Sequence, residues 1–245
     1  KTTIVANLGC ALARLKLKVL LIDVDFGLNN LDVVMGMENK IVYDITDIIE
    51  GKCRPKQALI QDFNLPTLYM LPSNHTYTNY RIDSDKIKNI LFELHPSFDY
   101  ILIDCPAGIE SGFHRAVKCA NEAIVVTTPH ISSIRDADKV LSLLHNYNIP
   151  NVFLVVNRAR GDLMLQGDML TESIISEYLK INLLGVVPED DYISTSLLTG
   201  GCVEKNSGSF ASFSKIANYL HNGVCDIYDV TKKYKGMLGL IKKLV

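Results

Sequence analysis

Tyr100-Ile101-Leu102-Ile103-Asp104-Cys105-Pro106-Ala107-Gly108-Ile109-Glu110 decides the fold. Four mostly apolar residues run into an acid, and a proline and a glycine then stop the run. A short apolar run that ends at a turn signal reads as a buried strand of a parallel sheet. Ligands of such sheets lie outside the carboxyl ends of the strands, so Asp104 emerges where chemistry is done. A carboxylate there can hold the water shell of Mg²⁺, which takes oxygen ligands and keeps several waters. It can equally cap the helix that follows. The loop Cys105–Gly108 is free to respond to a phosphate group.

Working outward, the composition suits one α/β chain with a sizeable core: 245 residues, of which 48% are hydrophobic. With 25 basic against 27 acidic side chains, the balance gives no case for nucleic acid as a partner. The six cysteines (10, 53, 105, 119, 202 and 225) are scattered without a Cys-x-x-Cys pair. That pattern argues for reduced thiols in a cytoplasmic setting, and against a disulfide framework or a zinc site. No apolar run is long enough to span a bilayer, and no signal peptide is recognisable.

The sequence opens on Lys1-Thr2-Thr3, and Ile4, Leu8, Ala11, Leu12 and Leu15 follow at helical spacing. Lys-Thr-Thr at a helix start matches the tail of the phosphate-binding loop Gly-x-x-x-x-Gly-Lys-[Ser/Thr]. In that loop backbone amides hold phosphates, the lysine reaches the β/γ oxygens and the first hydroxyl coordinates Mg²⁺. A first strand and the glycines are therefore expected upstream of Lys1. Lys18–Ile22 is the next strand and ends in Asp23-Val24-Asp25-Phe26-Gly27. Acids at i and i+2 point to one side of an extended chain, where like charges are uncomfortable unless a cation or a reacting water uses them. Asp23 is expected near the metal. Asp25, one loop position further, is expected to orient water at a γ-phosphate. An Asp-rich turn is the plainer account of both.

Lys-Thr-Thr, then Leu-Ile-Asp-Val-Asp-Phe-Gly-Leu-Asn-Asn-Leu-Asp, then Ile-Asp-Cys-Pro-Ala-Gly-Ile-Glu, in this order and spacing, resembles the MinD family. These are deviant-Walker ATPases of the group that includes ParA partition proteins and nitrogenase iron protein. Val33-Val34-Met35-Gly36-Met37, Val42-Tyr43-Asp44 and Gly185-Val186-Val187-Pro188-Glu189-Asp190 extend the match. The resemblance covers Lys1 to about Gly201 and the carboxyl end. It implies an ATPase that uses ATP and Mg²⁺, dimerises with ATP and helps place the division site. It further implies a MinC-like inhibitor and a MinE-like or equivalent regulator as partners, and residence in the cytoplasm and on the inner face of the cell membrane. Asp25 and Lys1 are the catalytic candidates, and Lys1, Thr2, Thr3, Asn157 and Pro188 the nucleotide-binding ones. Thr2, Asp104 and Asp23 are the metal candidates. Asn157 matches the family's adenine-reading residue, whose amide offers a paired donor and acceptor, and Pro188 can pack on the base. Asp136 matches a surface that regulators use, although Ser132 and Asp136 also suit a helix start by capping.

The remaining runs read as further strands (Thr67–Leu71, Ala123–Thr127, Val152–Val156, Leu183–Val187) and a helix over Ser84–His95 with Ser84 as its cap. The expected architecture is a mainly parallel twisted sheet of seven or eight strands with helices on both faces, as in P-loop NTPases. Residues 1–230 are expected to form the ATPase domain and 231–245 an amphipathic membrane-targeting tail. From Val230 onward there are five lysines and no acid. On a helix Met237, Leu238, Ile241 and Leu244 share a face, with Lys242 and Lys243 lying away from its centre. Such a segment can lie in an anionic membrane surface, or pack on the core as a last helix. A ParA-type partition ATPase acting on DNA or another cargo is the alternative function, and binding DNA requires a basic surface. An iron–sulfur protein would require cysteines such as Cys105 and Cys119 at a dimer axis.

Overall fold

The computed structural model of the protein describes residues 1–26, 30–73 and 82–235. The elements run α1 (Thr2–Arg14), β1 (Val19–Asp23), α2 (Leu31–Met35), α3 (Ile45–Ile49), β2 (Ile60–Gln61), β3 (Leu68–Leu71), α4 (Ser84–Leu94), β4 (Tyr100–Asp104) and α5 (Ser111–Lys118). They continue with β5 (Glu122–Thr127), α6 (Ile131–His145), β6 (Asn151–Ala159), α7 (Gly161–Gln166), α8 (Glu172–Leu179), β7 (Asn182–Pro188), α9 (Asp191–Thr199) and α10 (Gly208–Asn222). Two compact units result. Lys1–Ala120 with Ile193–Val203 forms one; Asn121–Tyr192 with the chain from Glu204 onward forms the other. The described strands pair as two sheets, β2-β3-β1-β4 and β5-β6-β7, where the sequence led us to expect one. Only β2 runs antiparallel to its neighbour, so the fold is the expected α/β type with mainly parallel pairing.

In the first unit the pleat sorts the helices. Leu20 and Ile22 of β1 share a core with Ile45 of α3, Ile87, Ile90, Leu91 and Leu94 of α4, and Ala116 of α5. Leu21 faces the other way. There α1 lies so close that a β-carbon on Gly9 would stand 2.5 Å from the Leu21 side chain. Helices therefore cover both faces, and every residue of β1 is buried. The apolar run of β4 is only half-buried up to Asp104, because β4 ends the order of the described sheet. Two cap assignments from the sequence are corrected. Asp83, not Ser84, caps α4, its carboxylate accepting from the Asp85 amide at 3.2 Å. And α6 starts at Ile131 with His130 at its cap, so Ser132 caps nothing and Asp136 lies beyond the first turn.

The cysteine reading is also corrected. Cys10 of α1 and Cys202 are joined in a disulfide, with their Cα atoms 6.2 Å apart and 192 residues between them in sequence. The segment after α9 is fastened to the first unit in other ways as well. The Val203 amide donates to Asn7 Oδ1 at 2.9 Å, and the Gly201 amide donates to the Val34 carbonyl at 2.8 Å. Cys53, Cys105, Cys119 and Cys225 remain thiols.

In the second unit, α10 crosses β7. Gly185 is the close approach, since a β-carbon there would meet Ile216 Cγ1 at 2.3 Å. The Ser212 hydroxyl donates to the Val186 carbonyl at 2.6 Å. Thr231–Lys235, the described part of the expected tail, is not separate from this unit. Val230 is buried, and a β-carbon on Gly161 would collide with the Val230 carbonyl. Met237, Leu238, Ile241, Leu244, Lys242 and Lys243 lie outside the described residues.

Candidate active site

Parallel pairing of β1 and β4 in the register Val19–Tyr100 sets Asp23 directly beside Asp104 at the carboxyl ends of both strands. Both side chains are buried. Withdrawal from water raises the Asp104 carboxyl above its usual range, against a hydrogen bond from the Thr2 side chain and the positive charge of Lys1. Asp104 Oδ1 is buried without a hydrogen-bond partner among the described residues. Burial likewise pushes Asp23 up to about 6, with the Asp104 charge adding to the rise and three backbone amides opposing it. Those amides are Asp25 N at 2.8 Å on Oδ1, and Asn30 N at 3.2 Å and Leu31 N at 3.3 Å on Oδ2.

The two acids thus divide the work. Asp23 spends both oxygens on the loop that carries Asp25, so it is a loop holder here, and its fit to a directly bound metal is poor. Asp104 keeps an oxygen free beside the Thr2 hydroxyl, which suits Mg²⁺: that ion is held by one or two protein oxygens together with substrate phosphates. Among the described residues no cluster of three or more His, Cys, Asp or Glu side chains forms a protein-only metal cage.

Lys1 lies at the same strand ends, its ammonium donating to the Pro106 carbonyl at 2.7 Å. The Cys-Pro-Ala-Gly loop is thereby in contact with the residue expected to reach phosphate. Gly108 turns that loop at φ +83°, a conformation that only glycine adopts freely. Burial pushes the Cys105 thiol up to about 11. Thr3 stands in the first turn of α1, its carbonyl accepting from Asn7 Nδ2 at 3.0 Å. The first unit therefore brings Lys1, Thr2, Asp23, Asp25 and Asp104 together.

In the second unit, Asn157 and Pro188 lie at the carboxyl ends of the neighbouring strands β6 and β7. Asn157 Oδ1 is buried with no hydrogen-bond partner among the described residues. Beyond Pro188, Asp190 accepts from the amide and hydroxyl of Ser209 and so anchors the start of α10.

Comparison with known proteins fits this geometry. The CobQ/CobB/MinD/ParA nucleotide-binding domain matches residues 1–201. The septum site-determining protein MinD of Bacillus subtilis is 44% identical over an alignment of 247 positions that covers 99% of this chain and 92% of that protein. The chain belongs to the MinD family. Among solved structures, MinD in the MinC:MinD cell division complex of Aquifex aeolicus superposes with a TM-score of 0.85 at 38% identity, over 92% of each chain. MinD of Pyrococcus horikoshii complexed with Mg-ADP gives 0.80 at 27% identity, over 90% of each chain. As a MinD-family member the chain is a nucleotide-binding ATPase that works with ATP and Mg²⁺. The Thr2–Asp104 pair, with its unpartnered oxygen among the described residues, has donor chemistry that suits Mg²⁺.

Asp136 is exposed on α6, paired with Lys139 at 3.2 Å. Among the described residues no helix is long and apolar enough to cross a membrane. Sequence reasoning missed Arg158, which adopts a left-handed backbone, φ +56°, inside β6. It also missed the Asp190–Ser209 lock. The Asn-Arg dipeptide at a strand end was the visible signal for the first; nothing local announced the second.

Proposed function

We propose that this MinD-family ATPase acts as a nucleotide-dependent switch on the membrane in placing the division septum. The observation that carries the reading is the strand-end cluster, in which Thr2 donates to buried Asp104 and Lys1 touches the Pro106 carbonyl. Lys1 and the amides at the start of α1 bind the phosphates. Asp25 orients the attacking water, and Asp23 fixes the loop that presents it. Thr2 and Asp104 would hold Mg²⁺, which would supply charge neutralisation at the phosphates. Asn157 reads the adenine and Pro188 packs on it.

ATP favours a homodimer and hydrolysis undoes it. The γ-phosphate is sensed through the loops Asp25–Asn30 and Cys105–Gly108, the second of which Lys1 touches at the Pro106 carbonyl. Two carboxyl-terminal tails on one dimer act together through effective concentration, so attachment to anionic membrane is reversible and follows ATP. A MinC-like inhibitor and a MinE-like or equivalent regulator dock on the dimer, with Asp136 on their surface. The relatives named septum site-determining proteins, and the MinC:MinD complex, support this reading over a DNA partition role.

The test uses full-length protein. Asp25→Ala should bind ATP and dimerise by light scattering, yet hydrolyse ATP about 10²–10⁴-fold more slowly. Asp104→Ala should lose Mg²⁺-dependent binding as well. Parental turnover by Asp25→Ala removes Asp25 from the site, and one unchanged mass with ADP and with ATP removes the dimer switch.

A further inference from the structure

Four non-glycine residues among those described have a positive φ: Lys16, Asn148, Arg158 and Lys180. Three of them follow the ends of α1, α6 and α8, where a left-handed residue is an ordinary way to stop a helix. Arg158 is different, since it lies within a strand. Its side chain is exposed. A side-chain-bearing residue in this conformation costs free energy and persists only where the surroundings require it.

The strand register shows what is required. Val156 pairs with Val186 and Ala159 with Pro188, so β6 carries one residue more than β7 over this interval. Asn157 and Arg158 together oppose Val187 in a β-bulge, which is rare between parallel strands. A bulge breaks the alternation of side chains and re-aims the one it carries. Here that residue is Asn157, whose Oδ1 is buried with no hydrogen-bond partner among the described residues. The strand end beyond is fastened again at once, the Glu189 amide donating to the Ala159 carbonyl at 3.0 Å.

We propose that Arg158 is a positioning residue for base recognition: its left-handed backbone closes the bulge that aims the Asn157 amide at the nucleotide base. The arginine acts through its backbone and not through its guanidinium. The inference rests on Asn157 being the base reader, and the experiment separates the two.

Dissociation constants for ADP and GDP are measured by calorimetry on full-length protein, with thermal melts as a check on folding, for Asn157→Ala, Arg158→Gly, Arg158→Asn and Arg158→Val. Glycine and asparagine tolerate positive φ and valine does not. Arg158→Gly and Arg158→Asn should keep the parental preference for ADP. Arg158→Val should weaken ADP by about tenfold or more while leaving GDP nearly unchanged, so that its ratio falls to that of Asn157→Ala. If the valine variant does not fold, Arg158→Ala takes its place, with a smaller fall in the same direction. A parental ratio in folded Arg158→Val, or in folded Arg158→Ala where it stands in, overturns the proposal. So does a ratio in Arg158→Gly as low as in the valine variant, which would assign the effect to the guanidinium. A parental ratio in Asn157→Ala overturns the base reader itself, and the positioning role with it.

Discussion

Replacing Asp23 by Asn tests the division of labour between the two buried acids. The folded protein raises the Asp23 carboxyl from the ordinary 3.8 to about 6, first through burial and then through the neighbouring charge of Asp104. That difference corresponds to about 3 kcal/mol between the charged and neutral forms. The sign follows from linkage. A carboxyl that holds its proton more tightly when folded contributes stability that is fully present below its unfolded pKa. That contribution is lost as the pH rises through the folded value. In metal-free, nucleotide-free protein, Asp23 should therefore lower stability progressively between about pH 4 and pH 7. Asn cannot titrate. It keeps one acceptor oxygen and turns an NH₂ group towards amides that Asp25, Asn30 and Leu31 now donate, a cost that does not depend on pH. The assay is urea unfolding of both proteins in chelator at several values from pH 4 to 7. The stability of Asp23→Asn minus that of the parent should climb by most of ~3 kcal/mol across this window, because groups common to both proteins cancel. A difference that stays flat from pH 4 to 7 would refute the reasoning: Asp23 would then not be ionising at a buried site.

Three further outcomes are expected. With ATP, the intact chain should sediment with anionic vesicles, while Ile241→Glu and a chain ending at Lys235 stay in solution; equal co-sedimentation of the shortened chain would exclude the tail as the anchor. The stop is placed at Lys235 because Val230 and Thr231 are packed against Gly161. Cys105, half-buried and pushed up to about 11, should resist iodoacetamide near pH 8 under native conditions, while exposed Cys225 is alkylated; mass spectrometry of the peptides decides it. Thiol titration of the denatured, unreduced protein should count four free cysteines and, after reduction, six. On the chain-entropy account, opening a link across 192 residues should cost about 5 kcal/mol of stability, and a count of six without reductant would show that Cys10 and Cys202 do not pair.

What the sequence revealed and what it hid divide along one physical line. Strand ends are written locally: an apolar run, an acid and then a breaker located Asp104, Asp23 and the Lys1 helix start without any knowledge of pairing. Once two such strands are parallel neighbours, their ends align, and Asp23 necessarily meets Asp104. What that meeting does to each acid was not legible. Both carry the same functional group at the same kind of position. Only the path of the loop after β1 decides that one spends its oxygens on amides while the other keeps one for a ligand. The disulfide was hidden for a related reason. Spacing rules for cysteine see short intervals, whereas Cys10 and Cys202 are neighbours only because the segment after α9 returns to α1.

The bulge at Asn157 marks the limit more sharply. An apolar run of Val and Leu predicts β6, but no pattern in the run tells that β7 opposes it with one residue fewer. A positive φ at an arginine goes against the residue's own preference, and local propensity is the very signal by which sequence reading works. Sites where that signal is overruled are therefore the ones it cannot find, and such sites concentrate where a fold has been bent to serve a ligand. By that reasoning Arg158 is better evidence of function than any residue whose conformation its neighbours in sequence would have chosen.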